Sequence, residues 1–121
     1  MLLRRIRGEV REVTLPFRCD GPDVRREMDL RIAANASGQF ILFSARMRSE
    51  EQREPQPLLL VDTPRSGGAL TMCGWCDRFL VDGEWVEVEE AATRLELFRR
   101  PEMPAISHDI CADCSEMLLA A

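Results

Sequence analysis

Two pairs of cysteines constrain this 121-residue chain more than any other feature. Each pair is separated by two residues, and 34 residues (77–110) lie between the pairs. A turn of this kind directs two thiolates to one point. Two such turns supply the four sulfur ligands, at about 2.3 Å, that zinc prefers in a tetrahedral structural site. The spacing therefore predicts a Zn²⁺ site with the ligands Cys73, Cys76, Cys111 and Cys114.

The segment that carries these cysteines is short. Residues 70–121 form a module of about fifty residues, which would bury only roughly 60% of the surface that its unfolded chain exposes. A module of this size needs an additional constraint, and structural zinc contributes about 10–16 kcal/mol in finger peptides. We expect metal rather than disulfides to provide that constraint, because thiols stay reduced in the cytoplasm.

The sequence favours a cytoplasmic location. Charged residues stand in Met1–Arg7, where a signal peptide needs an apolar stretch. No apolar run approaches the roughly 18 residues that span a bilayer. We therefore expect a cytoplasmic protein without a membrane partner.

The cysteines also allow other interpretations. A lone Cys-x-x-Cys pair is typical of thiol–disulfide oxidoreductases, but those place it in a βαβ unit that this sequence does not predict. A thiol-based redox or metal sensor that releases zinc on oxidation stays open. His108 could replace a cysteine ligand or donate a hydrogen bond to a thiolate, and Arg78 or Arg99 could offset the negative charge of the site.

Composition argues against catalysis and against nucleic-acid binding. All 16 basic residues are arginine, so lysine-based Schiff-base and phosphate-loop chemistry is excluded. His108 is the only histidine, and no serine or cysteine stands in a nucleophile-elbow motif. Residues 73–121 carry 4 arginines and 11 acids, a net charge of −7, which is the wrong sign for binding phosphates. We expect a non-enzymatic protein that does not bind nucleic acid.

The sequence pattern of the first half of the chain predicts β-strands. Apolar residues alternate with polar ones from 13 to 19 and from 28 to 32, and residues 40–47 are largely apolar. Turn-forming residues at 20–23 and 35–38 separate these segments, which predicts a three-stranded antiparallel meander. Cys19 is predicted to face inward. The apolar face of this sheet favours a homodimer or a protein partner.

A hairpin signal follows the first cysteine pair. The Asp-Gly dipeptide at 82–83 suits a type I′ turn, which requires positive φ at both central residues. A two-residue loop there pairs Leu80 with Trp85 and Phe79 with Val86. We expect Trp75 and Trp85 to pack in the core or against the metal.

Helices and boundaries complete the prediction. A short amphipathic helix is expected over 89–99, with Ala91, Leu95 and Phe98 on its buried face, and a terminal helix from Cys114. The apolar run Leu58–Val61 is expected to be an edge strand or a packing strip. The predicted organisation is a strand unit (1–56), a linker (57–69) and a metal module (70–121).

The second half resembles a known module. The similarity rests on Cys73–Cys76, Asp82–Trp85, the glutamates at 87, 89 and 90, and Ser107–Cys114, and it covers about residues 70–118. Together these segments resemble the cysteine-rich C-terminal module of bacterial sensory proteins, often found after PAS or receiver domains. Asp109 and Ala112 stand where that module commonly has Gly and Pro.

Residues 15–48 are similar to the last three strands of a PAS domain from the same bacterial group. The resemblances imply an α+β fold, with a half-PAS-like sheet followed by a four-cysteine zinc ribbon. They also imply a role in bacterial signal transduction through protein–protein interaction. The PAS helices that form a ligand pocket have no counterpart here, so Zn²⁺ is the one cofactor we expect.

Overall fold

The computed structural model describes residues 12–35 and 37–120 and contains two small sheets and two short helices. This confirms the predicted α+β class. The other residues included in the predicted units, 1–11, 36 and 121, lie outside the described residues. The elements are β1 (Glu12–Arg18), β2 (Val24–Ala34), β3 (Ile41–Gln52), a 3-10 turn (Pro57–Leu59), β4 (Arg65–Cys73), β5 (Phe79–Val81), β6 (Glu84–Val86), α1 (Val88–Arg94), a second 3-10 turn (Leu97–Arg99), β7 (Met103–Asp109) and α2 (Ala112–Ala120).

The first sheet is the predicted antiparallel meander, in the order β1-β2-β3. Leu15 pairs with Leu30 and Val13 with Ile32, so the apolar residues of both strands share one face. Leu15 and Ile32 are the buried centre of this face. β3 continues to Gln52, beyond the apolar segment, because its polar end still pairs with the start of β2.

β3 forms an exposed edge of the first sheet. It pairs only with β2 among the described strands, and every residue after Ile41 is exposed. The exposed side chains of this strand and the turn before it include Phe40, Leu42, Phe43 and Met47. This is the largest group of exposed apolar side chains along one described strand.

The second sheet has the order β6-β5-β4-β7, and its β4 and β7 are parallel. Thr71 lies opposite Ser107, and their hydroxyl groups are 3.1 Å apart. The sequence did not predict this pairing. Residues 65–68 and 101–104 read as loops because they contain glycine or proline, yet β4 begins at Arg65 and β7 at Met103.

The hairpin prediction is confirmed. Phe79 pairs with Val86 and Leu80 with Trp85. Asp82 and Gly83 have φ angles of 49° and 82°, as a type I′ turn requires.

The helix predicted over 89–99 is interrupted. α1 ends at Arg94, and Glu96 takes a left-handed conformation (φ 51°) before the second 3-10 turn. The buried positions are therefore Val88, Ala91 and Leu97, whereas Phe98 is 70% exposed. The predicted face was wrong at Leu95 and Phe98, because the break in the helix rotates the residues that follow it.

The core of the second sheet includes part of the predicted linker. Leu58 is buried with Phe79, Val81 and Met103. The packing-strip alternative therefore holds only for Leu58 and Leu59, which lie in a 3-10 turn, because Leu60 and Val61 are exposed. No described helix is both long enough and apolar enough to cross a membrane.

Candidate metal centre

The parallel strands β4 and β7 bring the two cysteine pairs together. Cys73 is the last residue of β4 and lies opposite Asp109, the last residue of β7. The amide of Gly74 donates to the carbonyl of Asp109 at 2.8 Å, which fixes the first turn against the second. Because parallel strands end at one edge of a sheet, the chain enters both cysteine turns at the same place. Cys111 precedes α2, and Cys114 lies in its first turn.

The four predicted ligands form one cluster. The sulfurs of Cys73, Cys76, Cys111 and Cys114 all lie within 4.8 Å of one another. The Sγ atoms of Cys76 and Cys111 are 3.8 Å apart. Four sulfurs about 2.3 Å from a central ion in a tetrahedron are about 3.8 Å from each other. All the cysteines are free thiols, so the cluster has the spacing and the donors of a metal site.

Backbone amides surround the buried sulfurs. The amides of Trp75 and Cys111 donate to the Sγ of Cys73 at 3.5 and 3.4 Å, and the amide of Cys114 donates to the Sγ of Cys111 at 3.4 Å. Hydrogen bonds to a negative acceptor are stronger than those to a neutral one. This arrangement stabilises thiolates, the form in which cysteine binds a metal.

Arg78 adds a positive charge. Its Nε donates to the Sγ of Cys76 at 3.2 Å, and its Nη2 lies 3.7 Å from the Sγ of Cys111. Arg99, the other candidate for this role, instead pairs with Glu96 at the surface. His108 is exposed and is not among the donors to these sulfurs that the described residues provide.

The thiols do not ionise alike when no cation lies among them. Burial opposes ionisation of Cys73, but the amides of Cys111, Cys76 and Trp75 outweigh it and lower the pKa of Cys73 to about 7. Burial raises the pKa of Cys114, and the neighbouring sulfurs of Cys111 and Cys76 raise it further. Burial likewise raises the pKa of Cys76 despite Arg78. Four thiolates therefore require a cation to hold them together, which fits the chemistry of Zn²⁺.

Both tryptophans pack against the cysteine cluster, as expected. Trp75 also joins it to the first sheet: its Nε1 donates to the carbonyl of Pro16 at 2.6 Å, and its own carbonyl accepts from the amide of Arg18 at 2.9 Å. Its ring lies 5.9 Å from that of Phe17. The first cysteine turn is therefore docked directly on β1.

A group of ion pairs that the sequence analysis missed lies beside this contact, and we call it the ionic latch. At its centre is Asp20, whose side chain is 2% exposed and which pairs with Arg18 and Arg53. These arginines reach across to Glu87 and Glu89 at 2.9 and 2.7 Å. The latch joins three parts of the chain that are far apart in sequence, at 18–20, 53 and 87–89, so no local sequence pattern predicts it.

Asp77, directly after Cys76, completes the contact. Its Oδ2 accepts a hydrogen bond from the amide of Asp20 at 2.9 Å. Burial raises the pKa of Asp77 to about 6; the Asp20 charge adds to the rise, while the amide of Asp20, Arg18 and Arg53 oppose it. Asp77 also has a φ of 62°, a left-handed conformation that aspartate tolerates better than most residues.

The prediction for Cys19 was wrong. β1 ends at Arg18, so the alternation that buries Leu15 does not extend to Cys19, and its side chain is exposed. Cys19 takes no part in the cysteine cluster.

Comparisons of the chain with known protein families, with curated proteins and with solved structures found no match.

Proposed function

We propose that this protein binds one Zn²⁺ through Cys73, Cys76, Cys111 and Cys114. One observation carries the proposal: four sulfurs from two distant turns lie within 4.8 Å of one another, with amide and arginine donors directed at them. The site is structural, because all four ligands come from the protein and a tetrahedral ion then has no open position for a substrate.

We further propose a non-enzymatic regulatory role in bacterial signal transduction. The first sheet would be a half-PAS-like unit, the second a zinc-ribbon-like module, and the whole a cytoplasmic protein. Support comes from the contact between them: Trp75, in the first cysteine turn, is hydrogen-bonded to Pro16 and Arg18 of β1. A change in structure at the metal site would therefore be transmitted to the first sheet through Trp75.

A second copy of this chain is the partner that we propose for β3. Among the described residues, no strand pairs with its outer edge, and its apolar side chains at Leu42, Phe43 and Met47 are exposed. Arginines at 46 and 48 are followed by glutamates at 50 and 51. An antiparallel copy of the strand would bring these opposite charges towards each other.

The metal proposal is tested by elemental analysis of the purified full chain. We expect one zinc per chain, and much less in the Cys111→Ser variant. Cys19→Ser is the matched control, because Cys19 is exposed and outside the cluster. A folded parent chain without metal, or equal metal in the two variants, contradicts the proposal.

The partner proposal is tested by measuring the mass of the protein in solution. Phe43→Glu places a charge in the exposed apolar part of β3 and should convert a dimer to a monomer. Ser44→Glu is the control, because it adds the same charge to the same strand without removing an apolar side chain. A monomeric parent, or equal effects of the two substitutions, contradicts the proposal.

A further inference from the structure

A cavity of about 200 Å³ lies between the end of β1 and the cysteine cluster. On the same measure a single water needs about 10–15 Å³, so the cavity admits a small organic molecule. Most of the surface that lines it is apolar, from Pro16, Phe17, Trp75 and Met117. The sulfur-bearing residues Cys76 and Cys114 and the charged residues Arg18, Glu27 and Arg48 form the rest of the lining.

The four cysteines differ in their access to this cavity. Cys73 and Cys111 are 0% and 1% exposed and do not line it. Cys76 lines it and is the least buried member of the cluster. Because cysteine oxidation follows thiolate character and exposure, a reagent that enters the cavity meets Cys76 before the two shielded sulfurs.

We propose that a small hydroperoxide enters this cavity and oxidises Cys76, which then forms a disulfide with Cys111 and releases the zinc. The proposal rests on the zinc site proposed above and makes that site a sensor of hydroperoxides. Cys111 is the partner because its Sγ lies 3.8 Å from that of Cys76. The apolar walls favour a hydroperoxide with an alkyl group over hydrogen peroxide.

The reaction balances without a further oxidant. The Cys76 thiolate attacks the terminal oxygen of the hydroperoxide, the O–O bond breaks, and the alkoxide takes a proton from water to leave as an alcohol. The Cys111 thiolate then attacks the sulfenic sulfur, an S–S bond forms, and hydroxide leaves and is protonated to water. Two thiolates, one hydroperoxide and two protons give one disulfide, one alcohol and one water.

Release of the metal follows from the loss of ligands. With Cys76 and Cys111 joined, only two thiolates remain, and a structural zinc site needs four ligands. The new bond links the two cysteine turns to each other, so the ends of β4 and β7 stay together. A thiol reductant can then restore the site by thiol–disulfide exchange.

The test uses the zinc-loaded full chain treated with tert-butyl hydroperoxide in the presence of a chromogenic zinc chelator. We expect one equivalent of zinc to be released as one disulfide forms, and peptide mapping to place that disulfide between Cys76 and Cys111. Dithiothreitol should restore zinc binding. The ratio of the rate constant for tert-butyl hydroperoxide to that for hydrogen peroxide should be larger for this protein than for free cysteine.

Cavity variants show the route of entry. Met117→Trp fills the cavity and should slow zinc release several-fold, and Met117→Phe is a smaller change should the first variant fold poorly. Leu119→Trp is the control, because Leu119 lies on the same helix, α2, and is exposed. Its rate should equal that of the parent chain.

Three results overturn the inference and leave the proposed zinc site standing: zinc that stays bound under hydroperoxide, a disulfide other than Cys76–Cys111, or equal rates for the Met117 and Leu119 variants. A parent chain purified without zinc contradicts the proposed function instead, and elemental analysis before treatment separates the two cases.

Discussion

At the scale of single residues, Asp20 shows how a buried charge is held. Burial alone would raise the pKa of its carboxyl, but hydrogen bonds and the charges of Arg18 and Arg53 outweigh burial and lower it. A depressed pKa means that the ionised form stabilises the folded state. This contribution is present above the ordinary pKa of aspartate and is lost as the pH falls through the lowered value.

Asp20→Asn should therefore destabilise the protein at pH 7 by about 3 kcal/mol, because it leaves two nearly buried arginines without their shared carboxylate. The difference from the parent should shrink as the pH falls below about 4. Chemical denaturation at several pH values measures it. Asp29→Asn is the control, since Asp29 pairs with the more exposed Arg46 and Arg48 and its loss should cost at most about 1 kcal/mol. Equal losses for both variants would argue against the latch.

Arg78 carries the second prediction at this scale. Its guanidinium contacts two sulfurs of the cluster, at 3.2 and 3.7 Å, so Arg78→Met should weaken zinc binding by about 10- to 100-fold. Competition with a chelator of known affinity measures the change. Arg99→Met should leave the affinity unchanged, because Arg99 pairs with Glu96 at the surface. Matching losses in both variants would mean that net charge, rather than contact, sets the affinity.

At the scale of elements, the break after α1 decides which side chains support the second core. Leu97 is 2% exposed within that core, whereas Phe98, which the sequence placed on the buried face, points largely to solvent. Leu97→Ala should lower the free energy of unfolding by about 2–4 kcal/mol. Phe98→Ala should change it by about 0.5 kcal/mol or less. If Phe98→Ala proves the more costly in denaturant titrations, a continuous helix over 89–99 is the better description.

The elements that the sequence predicted are those whose conformation is determined by residues close in sequence. The Asp-Gly turn at 82–83, the three alternating strands and the spacing of each cysteine pair act over a few positions, and the structure reproduces them. The parallel contact of β4 with β7 joins residues 36 positions apart, as in the pair Thr71–Ser107. Gly67 and Pro104 argue against strands in these segments when the sequence is considered alone. The contact that assembles the site therefore could not be predicted from residues close in sequence.

At the scale of the whole molecule, the cysteine turns connect the two sheets. Trp75 packs against the cluster and also against the apolar face of the first sheet, where Leu118 of α2 joins it. The ionic latch closes the same contact with Arg18 and Arg53 from one side and Glu87 and Glu89 from the other. The cysteine cluster and the contact between the sheets therefore lie in one shared region.

Removal of zinc should loosen this region before it disturbs the first sheet itself. Two amides report on the docking: that of Arg18, which donates to the carbonyl of Trp75, and that of Asp20, which donates to Asp77. After chelation we expect both to exchange with solvent about tenfold faster or more in hydrogen-exchange measurements. The β1–β2 amides around Leu15 and Leu30 should keep their protection, because that pairing does not depend on the cysteine turns. Unchanged exchange at Arg18 and Asp20 would show that the ionic latch holds the sheets together without the metal.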